Sequence, residues 1–168
     1  VLVSSPDTTS GTEGSDLYFV ASGTAVGGAM SSYPFNQSDW VTIDNAYWQS
    51  TYFNLTNSSY RDGQLWNKKK IDISRDFVIT SKIYFGNNDN GGDGLAFVLQ
   101  STGTNAYGSN GENKGYFNGN ISNAVVFDFD TRVSSSNTLD YVYPTTIKNN
   151  SKTWSNDTRE LLGQIEDG

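Results

Sequence analysis

Along most of the chain, short apolar or aromatic segments are separated by clusters of Gly, Asn, Asp and Ser. The candidate strand segments are residues 17–21, 40–43, 47–55, 64–66, 77–85, 95–100, 124–129 and 141–147. Several alternate with period two, the repeat of a strand whose successive side chains point to opposite faces. Phe77, Ile79, Ile83 and Phe85 share one face, with Thr80 and Lys82 opposite. Leu95, Phe97 and Leu99 make a second row, and Val125, Phe127 and Phe129 a third, which the pattern turns toward the core. Asp128 and Asp130 then share the other face of that strand. Even spacing, frequent turn residues and 14% aromatics predict an all-β fold, an antiparallel β-sandwich. One short helix is expected at residues 157–164, capped by Asn156 or Asp157, with Arg159, Glu160, Leu161 and Leu162 inside. Residues 1–16 are mostly Ser, Thr, Gly and acids after Val1-Leu2-Val3 and read as a polar tail or linker. Its apolar start could add a strand to a neighbour. Residues 17–168 form the domain.

Composition narrows the function more than the fold. The chain has 168 residues, enough for one domain with a real core. It carries 11 Lys and Arg against 18 Asp and Glu, a net charge of −7. That balance excludes a basic nucleic-acid footprint, and Lys68-Lys69-Lys70 reads as a solvated turn. There is no Cys, so disulfides, thiolate metal sites and cysteine nucleophiles are excluded. There is no His, which removes the commonest general base, any Ser-His-Asp triad and any His-ligated zinc. No apolar run approaches the roughly 20 residues of a membrane span, so membrane insertion is not expected. The chain starts at Val1 without Met, which suggests a processed or excised product. Six Asn-x-Ser/Thr acceptors occur, at Asn36, Asn54, Asn57, Asn120, Asn149 and Asn156. Their density fits a glycosylated protein at the cell surface or outside the cell.

The candidate chemistry lies in two segments. The first is Gly91-Gly92-Asp93-Gly94 followed by the apolar run Leu95 to Gln100. The glycines permit unusual backbone geometry and present the Asp93 carboxylate at a loop rim; a plain hairpin turn would use the same residues. The second is Ala124 to Thr131, which contains Asp128 and Asp130. Two carboxylates on one strand face are often only a solvated face. On an otherwise apolar strand they repel and raise each other's pKa unless a cation neutralises them. Asn137 and Asp140 follow in a Ser/Asn loop and could complete an oxygen shell, of the about six to eight donors calcium takes. The spacing is not that of an EF-hand.

Several motifs, in order, resemble the L-type (legume-like) lectins, especially their microbial members. The run Asn87 to Gln100 is similar to that family's sugar-site signature. Lys114-Gly115-Tyr116-Phe117-Asn118-Gly119 and then Ala124 to Thr131 resemble its glycine loop and metal-binding strand. Gln64-Leu65-Trp66-Asn67 and Ile71-Asp72-Ile73 resemble its lead-in. The likeness runs from about Leu17 to the C-terminus.

The resemblance implies a concanavalin A-like jelly roll with a calcium-supported sugar site and a glycan or glycoprotein as partner. Asp93 would accept hydrogen bonds from sugar hydroxyls, with the Gly92–Asp93 peptide cis. The loop at Gly115 would offer a backbone N–H to the sugar. Asp130 and Asp140 would bind calcium, with Asp128 beside them in the metal set. Asn137 would reach both calcium and sugar, and Arg132 would supply its carbonyl oxygen.

The chain departs from the family at four points. Thr145 stands where the family has a metal-binding His, and Asp128 stands for a longer Glu. One calcium is therefore expected rather than a calcium and a transition metal. Arg132 stands where the family often has an aromatic that stacks on the sugar, unless Tyr116, Phe117 or Tyr141 substitutes. The loop from Asp130 to Asp140 is one residue longer than usual, so Ser134 competes with Asn137. Gln164 to Gly168 resembles the turn before a central strand, so the domain 17–168 is expected to be incomplete at its C-terminus, either as an excised chain or with strands from another segment or chain completing the sheet.

Three functions fit these residues. The first is calcium-dependent carbohydrate binding, which needs no catalyst. The second is a structural or adhesive glycoprotein subunit of a cell-surface assembly with a degenerate sugar site. The third is a glycosidase using Asp128 and Asp130, although that pair suits a metal strand better and has no Glu beside it. A binding protein, not an enzyme, is the expectation.

Overall fold

The computed structural model describes residues 20–22, 32–33, 36–58, 60–74, 77–81, 83–86, 92–132, 139–154 and 160–163. They form an all-β structure of antiparallel strands with two single-turn 3-10 helices, Gln37–Asp39 and Gly111–Asn113. The strands are β1 (Val20–Ser22), β2 (Ser32–Tyr33), β3 (Trp40–Asp44), β4 (Tyr47–Gln49), β5 (Tyr52–Asn54) and β6 (Gly63–Asn67). They continue with β7 (Val78–Thr80), β8 (Gly94–Gln100), β9 (Asn123–Asp130), β10 (Asp140–Lys148), β11 (Ser151–Trp154) and β12 (Glu160–Gly163). The main sheet runs β11-β10-β9-β8, and β12 also pairs with β10, meeting Asp140 to Val142 while β11 meets Thr145 to Lys148. A three-stranded sheet runs β2-β1-β7, and β3-β6 and β4-β5 form two-stranded pairs.

Several sequence expectations change here. Residues 160–163 are a strand and not part of a helix, because Leu161 pairs with Tyr141 and Glu160 with Val142. Backbone pairing to the edge of β10 outweighs the weak local helix signal. The segment 47–55 divides into a hairpin, β4 and β5, that turns at Ser50 with a φ of 55°. Among the described residues of 77–85, Val78–Thr80 alone is strand. β11 adds a strand that the alternation does not announce; the Asn149-Asn150 pair, both with positive φ, closes a tight hairpin back onto β10. The tail, residues 1–16, lies outside the described residues.

On β9 the core row is the reverse of the expected one, and on β8 both rows pack inward. On β9 the buried residues are Ala124, Val126 and Asp128, whereas Val125 and Phe127 are 48% and 40% exposed. On β8 the buried pair is Ala96 and Val98. The reason is the excursion between β8 and β9, residues 101–122. It folds over that face and seats Ala106, Tyr116 and Ile121 in one cluster with Ala96, Val98, Ala124, Val126 and Ile147. On the opposite face Leu95 and Phe97 pack against a second cluster of Trp40, Phe53 and Leu65. β6 lies between the clusters: Leu65 joins the second and Trp66 the first, where its indole Nε1 donates to Ala106 O at 2.9 Å.

Candidate functional site

The excursion that covers the sheet is itself tightly organised. The Asn120 amide ties its two ends together, accepting from Tyr107 N and donating to Asn105 O, each at 2.9 Å. Deeper in, Ser109 N donates to Phe117 O and Gly115 N to Ser109 O. The Gly115 N–H, expected to face a ligand, is therefore already committed within the loop. Gly111 of this loop approaches Asp93 across space: a Cβ there would sit 3.6 Å from Asp93 Oδ2. Gly111 opens the 3-10 turn that ends at Lys114, whose φ of 43° is left-handed.

Asp93 stands at the entrance to β8. The Gly92–Asp93 peptide is cis, as the resemblance implies. The Asp93 side chain is 28% exposed, and its Oδ1 lies 3.8 Å from the Arg132 guanidinium. The Arg132 side chain is 65% exposed, so this contact is a weak, solvent-screened ion pair. Register places the two acidic segments side by side, with Gly94 opposite Asp130 and Ala96 opposite Asp128. The β8–β9 ladder therefore brings the Asp93 end of β8 beside the Asp130 end of β9.

Asp128 has different company from that expected. It is buried, and its carboxylate is approached from two other chain segments. The Tyr116 hydroxyl donates to Oδ2 at 2.5 Å. Lys114 Nζ lies 3.0 Å from Oδ1, with both side chains almost fully enclosed, and Lys152 Nζ lies 3.7 Å from Oδ2. Lys114 reaches Oδ1 as a charge rather than along a hydrogen-bond axis, so that oxygen receives no hydrogen bond. Lys152 comes from β11, opposite Ile147, and its ammonium lies 4.8 Å from the centre of the Tyr116 ring. Burial lowers the Lys152 pKa, offset by the Asp128 charge, and Lys114 lowers it further. Burial, then the Asp128 charge, pushes the Tyr116 hydroxyl far above its ordinary pKa, so it remains a donor. Thr145 is buried, and its hydroxyl donates to Tyr143 O at 3.3 Å.

This company bears on metal binding. A divalent ion on Asp128 Oδ1, at the about 2.5 Å typical of calcium, would lie within about 5.5 Å of the Lys114 ammonium. At an effective dielectric of about 20 that repulsion costs roughly 6 kcal/mol. A cation at Asp128 would therefore have to displace the Lys114 ammonium. Asp130 and Asp140 offer an oxygen-only donor set that suits a hard cation. Asp140 is buried beside Tyr141, the residue opposite Asp130, and Asp130 Oδ1 accepts from Arg132 N at 3.2 Å. Among the described residues no three acidic side chains converge on one point. Asn137 and Ser134 lie outside the described residues.

Of the aromatic candidates for a sugar platform, Tyr116 is fully buried and is excluded. Phe117 is half-buried in the first core cluster, and the Tyr141 ring packs against that of Tyr143 at 6.1 Å. Gln64, 5% exposed, lies against Gly115, and neither atom of its amide has a partner. Of the sequons, Asn57 is exposed, the Asn120 amide is fully engaged, Asn36 caps a 3-10 turn and Asn54 Oδ1 is buried. Asn149 occupies the β10–β11 turn, and Asn156 lies outside the described residues.

Sequence reasoning missed Lys114 and Lys152 as partners of Asp128. The Asn149-Asn150 turn signal could have placed Lys152 back beside β10. Nothing local marks Lys114. No protein-family model matches the chain.

Proposed function

We propose that this chain is a carbohydrate-binding module of the L-type lectin kind, on a concanavalin A-like sandwich, with Asp93 as the acceptor of sugar hydroxyl protons. The observation that carries this reading is the placement of Asp93. Its carboxylate is partly open at the end of a well-packed strand, with one oxygen toward Gly111 and the other toward an exposed guanidinium. A rigid acceptor at a glycine-lined rim suits a polyhydroxylated ligand, because little side-chain entropy is lost on binding. Calcium would be held by Asp130 and Asp140, with the Arg132 carbonyl and Asn137 completing its oxygen shell; bound there, it would stiffen the loop beside Asp93. The reading needs no catalyst. With the sequons it places the module at the cell surface or outside the cell, with a glycan or glycoprotein as partner.

A second reading, a structural or adhesive glycoprotein subunit with a degenerate sugar site, is favoured by two observations. Arg132 lies against Asp93 where the family's stacking aromatic would be, and the apolar row at Val125 and Phe127 is left open for strands from another segment or chain.

Glycan-array binding of the wild type and of Asp93→Ala, with and without a calcium chelator, tests the two readings. Carbohydrate binding requires a wild-type signal that Asp93→Ala abolishes at unchanged melting temperature, and a chelator that lowers both binding and melting temperature. No wild-type signal on any glycan sinks the first reading in favour of the second.

A further inference from the structure

Asp128 is a buried carboxylate on β9, at a position where the resemblance implies a metal ligand. A buried charge without compensation is strongly destabilising. Here the compensation comes from the chain itself. Lys114, Lys152 and Tyr116 deliver two ammonium groups and a hydroxyl to the two oxygens of Asp128. These groups come from the excursion between β8 and β9 and from β11, segments that share no strand pairing with each other. Lys152 is held in place by the faces of Tyr116 and Phe117, 4.8 and 5.8 Å from the ring centres. Lys114 passes so close to Gly94 that a Cβ there would sit 2.9 Å from its Cε.

We infer that Lys114 and Lys152 are a built-in replacement for a metal ion at Asp128, pinning the Gly111–Asn113 turn and β11 to the sheet next to Asp93. Lys114 is a positioning residue in this scheme. Its ammonium anchors the loop that sets Gly111 against the Asp93 carboxylate. The scheme concerns the proposed sugar site but holds whether or not a sugar binds there.

Two measurements test it. The first is the number of manganese ions bound per chain, read by electron paramagnetic resonance and calorimetry, in the wild type and in Asp128→Asn. The same number in both is expected, because any ion in this region would sit on Asp130 and Asp140. Loss of a bound ion in Asp128→Asn overturns the inference. The second is a double-mutant cycle between Lys114→Met and Asp128→Asn, read as melting temperature. Lys114→Met alone is expected to destabilise, and adding Asp128→Asn to recover several degrees, since the buried carboxylate that lost its nearer ammonium is gone. Additive losses overturn the inference. If Lys114→Met does not fold, the same cycle with Lys152→Met takes its place. Asp93→Ala leaves both measurements unchanged, so the sugar reading and this one fail separately.

Discussion

A methyl group on Gly94 would sit 2.0 Å from the carbonyl oxygen of Phe129 and 2.9 Å from Lys114 Cε. Two chain segments thus close on the residue that follows Asp93, and Gly94 also has a φ of +120°. Gly94→Ala must therefore separate β8 from β9 or expel Lys114. A loss of about 3 kcal/mol or more is expected. Gly103 has a φ of +104° and open space, with nothing within 4 Å of where a Cβ would stand, so it isolates the backbone cost alone. Gly103→Ala should lose only about 1–2 kcal/mol. Chemical denaturation of both variants checks the difference; equal losses would show that the close approach at Gly94 is relieved without cost.

The reversal of faces on β9 yields a paired test. Val125 is 48% exposed and Val126 is fully buried. Thr has nearly the shape of Val and suits a strand, so the hydroxyl is the main change. Val125→Thr should change stability by less than about 0.5 kcal/mol. Val126→Thr buries a hydroxyl and should cost about 1–3 kcal/mol. Urea unfolding of the two variants decides which row faces the core.

Asp44 ends β3 with a left-handed φ of 58°, and its pKa is raised by partial burial and by the neighbouring Asp62 carboxylate. A raised carboxyl pKa stabilises the fold when protonated, below the unfolded value of 3.8, and loses that contribution as pH rises through the folded value. At neutral pH Asp44 is thus a mild liability. Asp44→Asn removes the repulsion and supplies a residue that tolerates positive φ. It should gain a few tenths of a kcal/mol at pH 7, a surface-sized effect, and little or nothing at pH 3. Melting temperatures at the two pH values check the sign.

Gln64 buries an amide with neither atom hydrogen-bonded. An apolar side chain of similar length removes that cost, so Gln64→Met should stabilise by about 1 kcal/mol. A loss on thermal unfolding would instead mean that the amide holds a bound water or ligand beside Gly115.

The Asp128 cluster explains why the candidate site was only partly legible. The glycine-flanked Asp93 and the acids of β9 stand out because turn residues and carboxylates are conspicuous against apolar runs. The register that sets Gly94 opposite Asp130 belongs to the β8–β9 pairing, whose two strands are both visible in the alternation. Lys114 and Lys152 do not stand out, since a lysine looks the same in sequence whether it is solvated or enclosed. Their enclosure depends on the excursion after β8 and on the β10–β11 hairpin, which meet only in the folded chain.

Local pattern in the sequence suffices for the all-β class, the strands β8, β9 and β10, and the acids at their ends. Period-two alternation and turn chemistry are local properties, readable without neighbours. It did not determine which face of β8 and β9 is buried, because both alternating rows are apolar. On β9 Phe127 is bulkier than Ala124 or Val126, yet the smaller row is the one covered, while on β8 Ala96 and Val98 are buried and Leu95 and Phe97 pack half-buried on the other face. Tertiary structure decided this by laying Tyr116 and its loop over the smaller side chains, where a large ring fits. Tertiary structure also turned Leu161 into a strand residue and gave Asp128 two lysines, because pairing edges and buried charges are completed only by residues distant in the chain.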